Sequence, residues 1–170
     1  MRPDYETVDR THILRLALVV APLTAGQQDV ADLWSMMARK YVNQHRDFIV
    51  VTDRAEASVP ADVCADRIEG ALLISGRAVA RGDTVEASVD ARLFRCRDGA
   101  EIWATQAAGT WNTDDSDLVE ARKYWVSQTS EIAGPYVVAT FRLLTAALAT
   151  LPNPVITDES YIREKIDLGE

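Results

Sequence analysis

Residues 85–93 read VEASVDARL, and apolar and polar side chains alternate strictly along this stretch. Every second residue from Val85 to Leu93 is apolar, while a charged residue or a serine stands at each position between them. Such alternation is typical of a β-strand that has one face on a hydrophobic core and the other face in water. This stretch therefore predicts a half-buried strand.

The sequence on either side extends this strand into a meander. Arg81-Gly82-Asp83 predicts a short turn after an apolar run over residues 70–80, and Asp98-Gly99 predicts the next hairpin turn. Residues 101–111 then supply the return strand. The middle third of the chain is therefore predicted to be an antiparallel three-stranded meander.

The first fifty residues predict a β-α-β unit. Residues 13–20 are rich in leucine and β-branched side chains, which is typical of a central strand covered on both faces. Apolar positions in residues 30–41 follow the helical period of 3.6, and residues 47–51 predict a second strand. We expect the crossover between the two strands to be right-handed.

The remaining segments add helices. Residues 53–66 predict a turn and a short helix that begins near Pro60, because proline is tolerated at the first helical position. Residues 118–126 predict another helix, and residues 135–150 predict a longer one that is apolar on more than one stripe. We expect this last helix to be deeply buried or shared with a partner chain.

These elements define the fold class. The order β-α-β-(α)-β-β-β-α predicts an α/β (α+β) fold, in which helices pack on one mixed five-stranded sheet. The 170 residues are enough for one ordinary core. We expect an N-terminal linker over residues 1–12, a single mixed-sheet domain over residues 13–151, and an acidic C-terminal tail over residues 152–170, with a helical turn or two around residues 161–166.

The net charge argues against a nucleic-acid partner. The chain has 18 basic and 26 acidic side chains, a formal charge of -8, whereas a phosphate-binding surface needs clustered cations. Residues 1–97 carry 13 basic and 14 acidic side chains, and residues 98–170 carry 5 basic and 12 acidic ones.

Residues 21–26, after the first strand, lack both a P-loop lysine and the spaced glycines of a dinucleotide site. We expect no nucleotide and no other cofactor.

Few residues are suited to catalysis or metal binding. The two histidines, His12 and His45, flank apolar segments without matching ligands, so we expect surface or capping roles for them. Residues 114–117, DDSD, resemble the start of a calcium loop, but the following glycine and the glutamate at the twelfth position are missing. Capping of the helix before Leu118 is the better interpretation. We expect no enzyme activity and no metal site.

The two cysteines have two interpretations. If Gly82 centres the hairpin, Cys96 faces a position near Ile68, and Cys64 lies a few residues further along the same edge. The pair could therefore form a disulfide, which requires an oxidising compartment. Alternatively, both are small buried thiols.

Two groups of aromatic residues are candidate binding surfaces. Trp103 and Trp111 fall on one face of the third meander strand with small residues between them, which could leave a shallow groove for a ligand or partner. Alternatively, both indoles pack under the C-terminal helix. Tyr124 and Trp125, with Tyr136 nearby, could form a separate aromatic surface for a partner.

The candidate segments for targeting or membrane anchoring lack the features that these roles require. The first ten residues are polar and lack the apolar stretch of a secretory signal. The apolar runs over residues 13–23 and 137–151 contain Arg15 and Arg142 and are shorter than the ~20 residues that span a bilayer. We therefore predict no transmembrane segment.

Several motifs resemble those of known bacterial proteins. Residues 70–76 (GALLISG), 89–93 (VDARL) and 98–103 (DGAEIW) resemble the meander of bacterial envelope lipoproteins. This group includes curli-secretion-type lipoproteins, penicillin-binding-protein-activator lipoproteins and the N-terminal domain of the Tol-Pal translocation protein. Residues 16–23 (LALVVAPL), and residues 38–42 (ARKYV) leading into Asp47-Phe48, look more specifically like an uncharacterised lipoprotein family of myxobacteria.

The resemblance implies a function and a location. It implies a non-enzymatic periplasmic domain that is anchored to the outer membrane by an N-terminal lipid and acts as an assembly, scaffold or interaction partner of envelope proteins. The signal and the lipidated cysteine are not present in this sequence, so the anchor is not assigned to a residue. The apolar helix adds a further expectation, a homo-oligomer through Val137 to Leu151. The alternative function is a glycan- or lipid-binding or hydrolytic domain that uses the Trp103 and Trp111 groove, with Asp90 or Glu101 as its polar group.

Overall fold

A five-stranded mixed sheet lies at the centre of the fold. The computed structural model describes residues 5, 9–21, 27–65, 67–159 and 162. In chain order, the strands and α-helices are β1 (Arg15–Val20), α1 (Gln28–His45), β2 (Ile49–Arg54), β3 (Gly70–Arg81), β4 (Thr84–Arg95), β5 (Glu101–Asn112), α2 (Val119–Gln128) and α3 (Val137–Leu148). The predictions for residues 22–26 and for the helical turn around residues 161–166 fall wholly or largely outside the described residues.

The sheet has the order β2-β1-β3-β4-β5. Strand β1 runs parallel to β2 and to β3, and β3, β4 and β5 form the antiparallel meander. The β3–β4 turn contains Gly82 with a φ of 63°, a left-handed conformation that glycine adopts without steric cost. The prediction of an α+β fold with a mixed five-stranded sheet is confirmed.

The two faces of the sheet are covered differently. Helices α1 and α3 pack on one face, where alternate residues of β4 from Val85 to Leu93 are buried as predicted. On the opposite face, Ala17 and Val19 of β1 pack against Val63 and Ala71 in a second, smaller cluster. Residues 61–64 form turns instead of the helix expected near Pro60, because the chain crosses β1 with one buried valine and otherwise stays in solvent.

Helix α3 is a core helix. Eight of its twelve residues are buried, and it contacts β4, β5 and α1. By length and composition Glu131–Leu148 could cross a membrane, yet 56% of that segment is buried inside the fold. The apolar stripes that predicted deep burial or a shared interface therefore serve mainly the chain's own core.

The chain on both sides of the predicted domain is in contact with it. Tyr5 is fully buried, and its hydroxyl donates a hydrogen bond to the carbonyl oxygen of Pro152 over 3.1 Å. The backbone N–H of Val155 donates to the carbonyl oxygen of Arg10. The boundaries at residues 12 and 152 stay predictions, but described residues beyond each boundary pack together.

The contact between Trp34 and Gly76 sets how closely α1 approaches the sheet. The Trp34 side chain is fully buried, and a Cβ added to Gly76 would lie 2.8 Å from two of its ring carbons. The same Cβ would also collide with the backbone oxygen of Ser88. Only glycine at this position of β3 leaves room for the indole.

We expect Gly76→Ala to lower the free energy of unfolding by about 2 kcal/mol or more, because overpacking a tight core forces neighbouring groups to move. Urea denaturation followed by circular dichroism measures this change. The matched control is Gly134→Ala, where the added Cβ would meet Val126 at an ordinary 3.4 Å. Equal stability of the two variants would contradict the role given to Gly76.

Candidate functional site

The predicted groove between Trp103 and Trp111 is filled by the protein itself. Both side chains lie on the face of β5 that packs on the helices. Trp103 is buried, and its Nε1 donates a hydrogen bond to the carbonyl oxygen of Thr150 over 3.2 Å. The ring of Trp111 lies over Gly109, where an added Cβ would be 2.5 Å from Cη2. The small residues of β5 therefore accommodate the Trp111 indole.

The polar groups of the alternative function lie on the other face of the sheet. Asp90 and Glu101 both contact Arg92, whose Nε donates to Asp90 over 2.6 Å and whose Nη1 donates to Glu101 over 3.4 Å. Hydrogen bonding from Arg92 lowers the pKa of Asp90. The sheet separates these carboxylates from Trp103 and Trp111, so the structure does not bring the predicted combination together.

The second predicted aromatic surface does border a cavity. Tyr124 and Trp125 line a cleft of about 280 Å³ between α1, α2 and α3, which we call the aromatic cleft. Trp125 is 6% exposed and forms its floor, whereas Tyr124 is 44% exposed. The ring centroids of the two residues are 5.0 Å apart in an edge-on arrangement. The described residues that line it are Met37, Lys40, Tyr41, Gln44, His45, Ala121, Tyr124, Trp125, Phe141, Leu144 and Thr145.

On each of the three helices, the residues that line the aromatic cleft are spaced mostly three or four positions apart. Helix α2 supplies residues 121, 124 and 125, and α3 supplies residues 141, 144 and 145. Helix α1 supplies residues 37, 40, 41, 44 and 45. Residues three and four positions apart lie on one side of a helix, so every wall is one helical face. This periodicity was visible in the sequence, but it does not say which helical faces meet.

The aromatic cleft holds a cation without a carboxylate partner. The Lys40 ammonium lies 4.4 Å from the Tyr124 ring centroid and 5.4 Å from that of Trp125, which are cation–π distances. Within the described part of the chain, no carboxylate oxygen lies within 4.0 Å of this nitrogen. The eleven described lining residues include no Asp or Glu, although the chain has a net charge of -8. The cleft is therefore apolar and locally positive.

The two histidines have different surroundings in the structure. His45 lines the aromatic cleft, and its ring centroid is 4.9 Å from that of Tyr41. His12 is exposed, and its Nδ1 is 2.8 Å from the hydroxyl oxygen of Thr11. The sequence pattern predicted surface or capping roles for both histidines and did not connect His45, Lys40 or Tyr41 with the cleft.

The acidic loop after β5 is a capping structure. Asp115 accepts a hydrogen bond from the backbone N–H of Asp117 and begins the short 3₁₀ helix Ser116–Leu118, which confirms the capping interpretation. Asp114 pairs with Arg122, and Asp115 pairs with Arg142. Hydrogen bonding from Arg142 lowers the pKa of Asp115. These carboxylates are engaged in holding the loop to α2 and α3.

Cys64 and Cys96 form a disulfide in the structure, with their Cα atoms 5.5 Å apart. The bond ties the segment that crosses β1 to the β4–β5 turn. Beside it, the buried Arg95 donates to the buried Asp9 and also to Asp98. Hydrogen bonding from Arg95 lowers the pKa of Asp98 to about 2. This cluster joins the N-terminal residues, the crossing segment and the hairpin turn.

The fold is similar to those of solved bacterial proteins. PelC from Paraburkholderia phytofirmans, solved as a dodecamer, matches with a TM-score of 0.55 at 12% identity, over 84% of this chain and 91% of that chain. Hypothetical protein CT253 from Chlamydia trachomatis matches with a TM-score of 0.52 at 13% identity, over 79% of this chain and 93% of that one. Lipoprotein GNA1162 from Neisseria meningitidis gives a TM-score of 0.43 at 15% identity, over 66% and 96% of the two chains.

At these identities the likeness to PelC and to CT253 shows a shared fold and nothing finer. No protein-family model matches the sequence, and no curated protein matches it. The resemblance to a myxobacterial lipoprotein family therefore stays a prediction.

We expect the double variant Cys64→Ser/Cys96→Ser to lose about 3 kcal/mol of unfolding free energy, because the bond restricts a loop of about thirty residues in the unfolded chain. Urea denaturation with and without reductant measures the loss. Reductant should destabilise the wild type and leave the double variant unchanged. A wild type that shows two reactive thiols in denaturant without reductant would contradict the bond.

Proposed function

We propose that this chain is a non-enzymatic domain of the bacterial cell envelope, and that it binds another envelope component through the aromatic cleft. The observation that carries the proposal is the Lys40 ammonium, which lies over the rings of Tyr124 and Trp125 and has no carboxylate partner among the described residues. The favoured partner is a protein of the envelope that presents an apolar side chain next to a carboxylate.

The chemistry of the aromatic cleft favours binding over catalysis. The lining residues that the structure describes include no carboxylate and no cysteine, so His45 has no carboxylate or thiol in the cleft to act with it as a catalytic pair. The rings offer flat apolar surface, and Lys40 offers a point charge that attracts an anion. Burying an anion against Lys40 would also satisfy the ammonium when water leaves the cleft.

The disulfide supports an envelope location, and the fold supports a role in assembly. Disulfides persist in oxidising compartments such as the bacterial periplasm, and Cys64 and Cys96 are bonded in the structure. The fold is shared with PelC, whose dodecamer also makes an assembly role reasonable for this chain. Anchoring to the outer membrane by an N-terminal lipid, as the sequence resemblance implies, is part of the proposal.

A small ligand is the second candidate for the same cleft. Its volume of about 280 Å³ is near the lower end of the range for small-molecule pockets, about 300–1,000 Å³. A lipid or glycan with an anionic group would use the same rings and the same ammonium. This candidate replaces the Trp103 and Trp111 groove as the place where such a ligand would bind.

Site-specific photo-crosslinking in the native host tests the proposal. A photoreactive phenylalanine analogue at Tyr124 should crosslink one discrete envelope protein, whereas the same analogue at Val51, which is similarly exposed on β2, should not. Lys40→Glu should reduce the Tyr124 crosslink at least about fivefold, because it places a negative charge where the partner's anion lies.

Lys123→Glu is the matched control, since it makes the same charge change on an exposed residue outside the cleft lining. A crosslink that Lys40→Glu leaves unchanged would contradict binding at the cleft. A change in tryptophan fluorescence on adding decanoate or an acidic glycan, lost in Lys40→Glu and without a protein crosslink, would favour the small-ligand candidate.

We expect fractionation of the native cells to recover the full-length protein with the outer membrane, and mass spectrometry to find an acylated N-terminal cysteine. Recovery of the unlipidated protein in the cytosol would overturn the proposed location.

A further inference from the structure

Strand β5 is an open edge of the sheet. It pairs with β4 on one side and has no strand on the other in the described part of the chain. The backbone N–H of Thr113 donates to the carbonyl oxygen of Asp83, and the β4–β5 register continues unbroken from there to the pair of Leu93 and Trp103. In an antiparallel pair, alternate residues bond the neighbour. The odd-numbered residues of β5 therefore bond β4, and the even-numbered residues from 104 to 112 present their N–H and C=O groups to the open edge.

From Ala104 to Asn112, the described residues give this edge none of the usual protection against strand pairing. Residues 102–113 contain no charged residue and no proline. Charged residues make up 26% of the chain, so about three would be expected in these twelve positions. Natural edge strands are normally short, charged, bulged or covered, because an exposed row of backbone groups pairs with other strands. The one irregularity in the β4–β5 register lies at Leu93/Phe94, opposite Ile102 at the start of the uncharged run, and the register is regular from Trp103 to Asn112.

The other edge of the same sheet provides the contrast. Strand β2 is half as long, six residues against twelve, and it ends in Asp53 and Arg54. Arg39 pairs with Asp53, and Asp62 of the crossing segment pairs with Arg54. This edge is short, charged and bridged to its neighbours. The difference between the two edges indicates that β5 is kept free for pairing.

We propose that β5 pairs antiparallel with β5 of a second copy of this chain, so that two five-stranded sheets become one. Centring the twofold axis on Ala108 pairs residue 104 with residue 112 of the other copy, and places Gly109 beside its Ala107. Every even-numbered residue from 104 to 112 then finds a backbone partner. On the helical face, Trp111 of each copy stands beside Thr105 of the other, which covers the half-buried indole.

The distribution of charge favours this edge over the rest of the surface as the place where two copies meet. Two copies with a charge of -8 each repel one another through most of their surfaces. At the β5 edge, however, residues 104–112 face the same uncharged residues across the axis, so no like charges are opposed. A twofold interface of this kind requires only that one strip be compatible with itself. The proposal is independent of the aromatic cleft.

Sedimentation and light scattering of the purified full chain over a concentration series test the pairing. We expect a monomer–dimer equilibrium in the wild type. Ala108→Pro removes an N–H that β4 does not use, so it should keep the fold and weaken dimerisation at least about tenfold. Ala108→Lys should act in the same direction, because a charge on the edge opposes pairing. The control is Ser88→Lys, the cross-strand neighbour of Ala108 on the interior strand β4, which leaves the edge backbone unchanged.

Amide hydrogen exchange identifies the surface. As protein concentration rises, the amides of residues 106, 108 and 110 should become protected, whereas those of residues 105, 107 and 109 should be protected at every concentration. Circular dichroism checks that each variant is folded. If Ala108→Pro does not fold, Ala108→Lys provides the test. A wild type that stays monomeric at the highest attainable concentration would overturn the proposal. A dissociation constant of the dimer that is the same in the folded variants at residue 108 as in Ser88→Lys would overturn it too.

Discussion

The close approach of the Trp34 indole to the backbone of Gly76 is the constraint on which the rest of the molecule depends. It holds α1 against the sheet at a fixed distance, because neither the ring nor the strand can move closer or tolerate an added carbon. Met37 and Tyr41 follow Trp34 by three and seven residues, so they lie on the same side of the helix. The contact in the core therefore also fixes the position of one wall of the aromatic cleft. Helix α1 therefore contributes both to the stability of the fold and to the shape of the aromatic cleft.

Much of the architecture could be predicted from the sequence. The meander and the β-α-β unit followed from periodicity in residues 85–93 and 30–41, since each pattern matches only one kind of element with one buried face. The short helix expected near Pro60 is a turn, because local propensity near a proline does not say whether a segment has a surface to pack on. The burial of Val63 under β1 was decided by the tertiary fold.

The candidate site was harder to predict for a related reason. Tyr124 and Trp125 were identified as aromatic residues on a helix, but Lys40 and His45 lie some eighty residues earlier and reach them only through packing of α1 against α2 and α3. The groove between Trp103 and Trp111 was expected from strand alternation, which places both rings on one face correctly. Alternation carries no information about rotamers, and the Trp111 ring turns back over Gly109. Faces can be predicted from spacing, whereas cavities depend on how side chains fill them.

All the described lining residues of the aromatic cleft lie on three helices. Helical walls are held by backbone hydrogen bonds and by their own packing, so the cleft has its shape before anything enters it. Most of the conformational entropy lost on association would then be lost by the incoming molecule. A rigid partner would gain affinity at such a surface, and a flexible one would lose it. Exchange of lining side chains on these three helices could also alter what is recognised without moving the backbone.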